Sequence, residues 1–212
     1  MILKELDPFD GRSQEDLDAR IPADRMVYCL RRHFRHSTEV DVLHELRLRC
    51  GRSLARIDHL LLYGLGLIVV QRFEATGHLR VNTQGQWSRV APATQTAGVA
   101  APDPEPLASP VTHAYIQALL LKDFLDRHVR QPGYFDHLRL DVLVVLHDDC
   151  EVRWPPEGAM EEVCRRDDVF ERAGRQMARA TEAGAAGCML GPRERRTMGQ
   201  FLNRSHRPAS RD

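Results

Sequence analysis

Two apolar segments in the middle of the chain carry polar residues at the ends where they are expected to meet. Asp58 opens the segment "DHLLLY", and Gln71 and Phe73 close the segment "GLIVVQRF". The glycine turn at residues 64–66 separates the segments and predicts an antiparallel hairpin, with Asp58 beside Gln71. Carboxylate and amide oxygens are ligands that suit Mg²⁺. Spacing alone also allows the simpler alternative, in which both residues end a strand and face water.

Strand alternation predicts which of these side chains share a face. Asp58 shares a face with Leu60 and Leu62, because successive side chains of a strand point to opposite faces. By the same rule Gln71 and Phe73 lie on one face of their strand, and Arg72 lies on the other. We therefore expect Arg72 to point away from the Asp58–Gln71 pair unless a bulge shifts the alternation.

Composition and charge restrict the classes of function. The chain has 30 basic and 30 acidic residues, so it has no overall field for nucleic acid or for an anionic membrane, and any such contact must come from a local patch. Lys4 and Lys122 are the only lysines, which leaves two places for a catalytic lysine. The five scattered cysteines and the polar N-terminal segment predict a reducing, cytoplasmic location. No apolar segment is long enough to span a bilayer, so we expect no membrane contact.

Periodicity predicts an α/β fold with a mixed central sheet and helices on its faces. A helix begins near Ala23, strands follow over residues 40–48, 56–63, 66–73 and 77–82, and a long helix begins with Ser109 as N-cap and Pro110 in its first turn. The apolar segment "RLDVLVVLHDD" predicts another strand, and two charged helices follow it. We divide the chain into a polar, weakly ordered leader (1–22), a central domain (23–153, with an Ala/Pro-rich loop at 91–110) and a C-terminal helical extension (154–212).

The ordered set of segments resembles the NERD (nuclease-related) domain. The resemblance lies in "EVDVLHELRL", "RIDHLLLYGLGLIVV", "GHLRVNTQGQWSRV" and "SPVTHAYIQALLLKDFL", and it covers most of the chain. It implies similarity to the PD-(D/E)xK nuclease superfamily, with a restriction-endonuclease-like αβββαβ core. In that superfamily, carboxylates at one end of the sheet hold Mg²⁺, and a lysine helps to orient the attacking hydroxide.

The resemblance implies a metal site of Asp24, Asp58 and Gln71. Asp24 matches the acid of the first helix, and Asp58 matches the acid of the second strand. Gln71 stands where the family has the glutamate of E-x-K, and Phe73 stands where it has the lysine. Glutamine keeps an oxygen ligand but lacks the charge, whereas phenylalanine offers no proton donor or cation.

Three residues are candidates to replace the missing groups. Glu74 replaces the carboxylate if a bulge shifts the strand, Arg72 supplies a cation under the same condition, and Lys122 on the long helix acts as a migrated lysine. The sequence "HDDC" at residues 147–150 contains two carboxylates but is read as a polar turn. Arginines at the end of the first helix and in the hairpin are candidate nucleic-acid contacts: Arg31, Arg32, Arg35 and Arg72.

Three hypotheses follow. The first is a nuclease-like scaffold without catalysis that retains nucleic-acid binding, with DNA as the expected partner. The second is an active Mg²⁺-dependent DNA endonuclease that uses Asp24, Asp58, Gln71 and a displaced basic residue such as Lys122. The third is a protein-interaction module without nucleic-acid contact, which the zero net charge allows.

Overall fold

A computed structural model of the chain describes residues 1–9, 11, 13–91, 103–129, 133–183 and 189–208. The strands within these ranges are β1 (Ile2–Lys4), β2 (Asp41–Cys50), β3 (Ser53–Tyr63), β4 (Gly66–Phe73), β5 (Gly77–Val81), β6 (Trp87–Arg89), β7 (Glu105–Leu107), β8 (Arg139–Leu146), β9 (Cys150–Arg153) and β10 (Val163–Cys164). The helices are α1 (Gln14–Phe34), α2 (Pro110–His128), α3 (Val169–Glu182) and α4 (Pro192–Ser205), with a 3-10 turn (Arg166–Asp168) before α3.

The strands form two sheets. The main sheet is mixed and has the order β1-β2-β3-β4-β8-β10, in which β2, β3 and β4 are antiparallel neighbours and the other pairs are parallel. The predicted hairpin is confirmed, since β3 pairs with β4 from Tyr63–Gly66 to His59–Val70. A smaller sheet, β7-β6-β5-β9, was not predicted as a separate layer.

Helices cover both faces of the main sheet. On one face α1 and α3 bury Met26, Leu30 and Phe34 against Ile68 and Val70; we call this the α1-side core. On the other face α2 and α4 pack on strand residues that include Leu60 and Leu62, in what we call the α2-side core. The near-continuous apolar runs of β4 and β8 follow from burial on both faces.

The alternation of β2 and β3 shifts by one residue where Glu45 lies opposite Asp58. Residues three apart on a regular strand lie on opposite faces, but Leu43 and Leu46 both belong to the α2-side core. Their cross-strand partners Leu60 and Ile57 also both belong to it. Glu45 between them has a φ of 47°, a left-handed conformation that is uncommon for a residue with a side chain. The prediction that Asp58 shares a face with Leu60 and Leu62 is wrong for this reason.

The first helix begins at Gln14, nine residues before the predicted start at Ala23. The helix continues through Pro22, although proline usually stands in the first turn of a helix. The first residues also differ from a weakly ordered leader, because β1 pairs with β2 at Val42 and Leu43. The division into leader, central domain and extension stays a prediction.

The long helix after the loop begins as predicted. The Ser109 hydroxyl accepts a hydrogen bond from the Thr112 amide at 3.2 Å, and Pro110 is the first helical residue. Within the expected loop 91–110, residues 92–102 lie outside the described residues, whereas Glu105–Leu107 forms strand β7. The expectation of a loop without secondary structure is wrong at that point.

Helix α4 is tied to the main sheet by a buried ion pair. Arg195 Nε donates to Asp41 Oδ2 at 2.8 Å, and Nη2 donates to the Thr38 carbonyl at 2.5 Å. Both charged side chains are almost fully buried, and Asp41 supplies the counter-charge of Arg195. The Met1 ammonium also lies 3.5 Å from Asp41 Oδ1.

Candidate functional site at the end of the β3–β4 hairpin

The main-chain pairing of β3 with β4 ends at His59 and Val70, and side chains take over the hydrogen bonds beyond it. Gln71 and Asp58 are the first residues past this point. The structure therefore brings the two predicted site residues together, but their contacts run between one side chain and the other strand's backbone.

The amide of Gln71 binds the backbone of β3 with both of its polar atoms. Oε1 accepts from the Asp58 amide at 3.1 Å, and Nε2 donates to the Arg56 carbonyl at 2.6 Å. The Arg56 amide is held by a second glutamine, because it donates to Gln117 Oε1 from α2 at 2.7 Å. Gln71 is buried and connects the two strands where the ladder opens.

The carboxylate of Asp58 is bound by Arg72. Oδ2 accepts from the Arg72 amide at 2.8 Å, and Oδ1 lies 3.7 Å from Arg72 Nη2. Burial raises the pKa of the Asp58 carboxyl above its ordinary value, and the Arg72 charge partly offsets this increase. Arg72 was expected to point away from Asp58 unless a bulge shifts the alternation, and the shift beside Glu45 is such a case because it turns Asp58 toward Arg72.

Arg72 also interacts with Glu74, the residue that was a candidate to replace the missing carboxylate. Arg72 Nη1 lies 3.2 Å from Glu74 Oε1. The guanidinium therefore stands between two carboxylates and balances part of their negative charge. Arg72 Nε is buried and has no hydrogen-bond partner within the described part of the chain.

Asp24 is not joined to this group by any recorded contact between described residues. It lies exposed on α1 and pairs with Arg20 Nε at 3.1 Å. Arg20 Nη1 pairs in turn with Glu45 Oε1 at 3.2 Å, and Glu45 lies close enough to Asp58 to contribute to its raised pKa. Sequence reasoning missed Arg20 and Glu45, although Arg20 is one helical turn before Asp24.

Phe73 occupies the expected lysine position as a packing residue. Its ring lies edge-to-face against Trp87, with centroids 5.6 Å apart, and Trp87 contacts Trp154 in the same way at 5.7 Å. This aromatic cluster joins the end of β4 to the smaller sheet and belongs to the α2-side core.

The structure does not bring Lys122 to Asp58 or Gln71. Lys122 Nζ donates to Asp126 and to Asp136, at 2.7 Å in each case. These two carboxylates raise the pKa of the lysine, so they keep it protonated. A protonated lysine with two carboxylate partners is typical of a surface ion-pair network.

A cavity of about 190 Å³ lies beside Arg72 on the α1 side of the sheet. Asp148 from the "HDDC" turn lies in its wall and is bound by Arg25 Nη1 at 3.3 Å and by Arg166 Nη1 at 2.8 Å. The cavity wall thus mixes both signs of charge. Among the residues that the structure describes, no group of three or more His, Cys, Asp or Glu side chains is placed to hold a metal ion.

The predicted nucleic-acid residues at the end of α1 lie away from this site. Arg31 pairs with Glu5, whereas Arg32 and Arg35 are exposed and have no ion-pair partner among the described residues. Arg32 is seven residues along α1 from the cavity-lining Arg25, which corresponds to about 10 Å of helix. Within the described ranges, no helix is both long and apolar enough to cross a membrane.

Comparison with protein families identifies the scaffold. The model of the nuclease-related domain, NERD, matches residues 23–147, which is more than half of the chain. The chain belongs to the NERD family. No curated protein and no solved structure matches it.

The NERD match includes the whole hairpin site and the covering helix α2. It runs from Ala23 in the middle of α1 to His147, the residue after β8. Asp24, Asp58 and Gln71 all lie inside this range. Helix α4, which buries Arg195 against Asp41, lies beyond the matched residues. The NERD domain of this protein is therefore packed against chain segments that the family model does not include.

Proposed function

We propose that this NERD protein keeps a nuclease-like scaffold, has lost phosphodiester hydrolysis, and binds nucleic acid without cutting it. The observation that carries the proposal is the double hydrogen bond of Gln71 to the β3 backbone. A glutamate at this position has no N–H to donate to the Arg56 carbonyl. The replacement of the E-x-K glutamate by glutamine thus converts a metal ligand into a brace between strands.

Mg²⁺ does not fit the residues as they are arranged. Mg²⁺ requires near-ideal octahedral geometry from oxygen ligands and is reluctant to lose water. Here the Gln71 oxygen already accepts from Asp58, and the Asp58 carboxylate already accepts from Arg72. The positive charge of the Arg72 guanidinium would also repel a Mg²⁺ ion at this end of the sheet.

The group that orients water is also replaced. Phe73 stands in the lysine position, packed on Trp87, and Lys122 is held by two carboxylates elsewhere. The element order α1-β2-β3-β4-α2-β8, apart from the inserted β5-β6-β7, agrees with the restriction-endonuclease-like αβββαβ core that we propose for this domain. A scaffold of this kind without a positioned donor lacks the group that would stabilise the charge that develops on a phosphate during cleavage.

A nuclease assay tests the loss of hydrolysis. The purified protein is incubated with linear and supercoiled DNA in Mg²⁺ and separately in Mn²⁺, beside the variant Asp58→Ala. We expect intact DNA in every lane. DNA cleavage by the wild type that disappears in Asp58→Ala would overturn the proposal and support the second hypothesis, an active DNase.

A restored variant extends this test. Gln71→Glu/Phe73→Lys returns the two side chains that the family pattern expects, and its fold is checked by circular dichroism before it is assayed. Cleavage by the folded variant, but not by the wild type, indicates that these two substitutions removed the activity.

A mobility-shift assay decides between nucleic-acid binding and the third hypothesis, since a protein-interaction module gives no shift of the DNA band even at low salt.

A further inference from the structure

The tip of the β2–β3 hairpin carries a row of arginines on one face. We call residues 46–57, "LRLRCGRSLARI", the arginine hairpin. It has four basic residues and no acidic or aromatic residue.

Pairing places the arginines on the face opposite the core. Leu46, Leu48, Cys50, Ala55 and Ile57 all point into the α2-side core. Alternation then puts Arg47, Arg49 and Arg56 on the outer face, and Arg47 and Arg56 are direct cross-strand partners. Two like charges this close, with Cβ atoms about 5 Å apart, destabilise a sheet unless an anion lies between them.

The positive charge of this face is not neutralised. Among the described residues, no ion pair involves any of the four arginines of the hairpin, which are Arg47, Arg49 and Arg56 on this face and Arg52 in the turn. The Arg207 amide donates to the Arg47 carbonyl at 2.9 Å, which brings the exposed residue Arg207 to the edge of the hairpin. This patch is therefore a local positive field on a chain without net charge.

We propose that the outer face of the arginine hairpin binds the phosphodiester backbone of duplex DNA. This inference rests on the proposed function. Arginine forks match phosphate oxygens, and a two-stranded β-ribbon fits the major groove of B-form DNA. The absence of aromatic residues from the hairpin removes the stacking surface that single-stranded nucleic acid uses. Arg56 is two residues before Asp58, so the bound duplex extends toward the inactive site.

Two charge-matched double variants test the surface. Arg49→Gln/Arg56→Gln removes two charges from the hairpin, and Arg32→Gln/Arg35→Gln removes two from the end of α1. Binding of a fluorescent DNA duplex is measured by anisotropy between about 50 and 200 mM NaCl. We expect the hairpin variant to bind roughly tenfold more weakly and to lower the slope of log Kd against log salt by about 1.8, at about 0.9 per lost phosphate contact. We expect the α1 variant to bind as the wild type does.

The outcomes separate this inference from the function on which it rests. No binding of duplex DNA by the wild type at low salt overturns both. Wild-type binding that the hairpin variant retains in full, with an unchanged salt slope, overturns the arginine hairpin alone and leaves nucleic-acid binding intact. Equal or tighter binding of single-stranded DNA or duplex RNA overturns the assignment to duplex DNA. Circular dichroism of each variant checks that the fold is unchanged.

Discussion

At the scale of single residues, the amide of Gln71 links two strands at a position where the family pattern has a glutamate. The proximity of Asp58 and Gln71 was predictable, because a tight hairpin brings the end of one strand beside the start of the other. The bonds of the Gln71 amide were not predictable, since they depend on where the strands separate. The contact between Arg72 and Asp58 was also missed, because nothing in the sequence marks the left-handed conformation of Glu45.

The variant Gln71→Glu tests the brace. We expect the free energy of unfolding at pH 7 to fall by about 1–3 kcal/mol, because the Arg56 carbonyl loses its donor and faces a carboxylate. The loss should shrink as the pH falls and the new glutamate gains a proton to donate. Urea denaturation at neutral and mildly acidic pH measures both effects. The same change at the exposed residue Gln84 is the control, and equal stability of the two variants would contradict the brace.

At the scale of elements, the sequence predicted the helices and the main strands better than their boundaries and layers. Apolar runs identified β4 and β8 because both are buried on both faces, and Ser109 and Pro110 marked the start of α2. The smaller sheet was missed because its strands are short and its partners β5 and β9 are distant in the chain. Local patterns carry no information about which distant strands pair.

The pairing of β4 with β8 depends on a glycine at its first position. A Cβ added at Gly66 would lie 2.2 Å from the backbone oxygen of Arg139, which cannot move without breaking the parallel ladder. We expect Gly66→Ala to lower the free energy of unfolding by about 1–3 kcal/mol. Gly64→Ala in the same turn is the matched control, because its Cβ meets atoms no closer than 3.6 Å. Chemical denaturation of both variants measures the difference, and equal losses would refute the close-approach explanation.

At the scale of the whole molecule, a buried histidine pair links the stability of the fold to pH. His44 Nδ1 and His59 Nδ1 lie 2.9 Å apart in the interior of the main sheet. Burial lowers the pKa of His44 to about 4, with smaller contributions from the Arg31 and Lys4 charges. Burial likewise lowers the pKa of His59 well below its ordinary value.

Both histidines are thus neutral in the folded protein, whereas the unfolded chain takes up protons below about pH 6.5. Stability therefore rises with pH through this range and is lost as the pH falls from about 6.5 toward 4. We expect the double variant His44→Leu/His59→Leu to lose less stability than the wild type over this interval, as measured by urea denaturation at each pH. The exposed His36→Gln is the control. A double variant with the wild-type pH dependence would show that other groups determine acid stability.

The ion pair between Asp41 and Arg195 has a consequence for the order in which the chain is made. The partners are 154 residues apart, so at about 5–20 residues per second the ribosome supplies Arg195 roughly 8–30 s after Asp41. Until then the only charged partner that the described residues offer Asp41 is the Met1 ammonium at 3.5 Å, which is partly exposed, so the carboxylate lacks a buried counter-charge. We therefore expect the burial of Asp41, and with it the packing of α4 on β2, to be completed only after the C-terminal segment has been made.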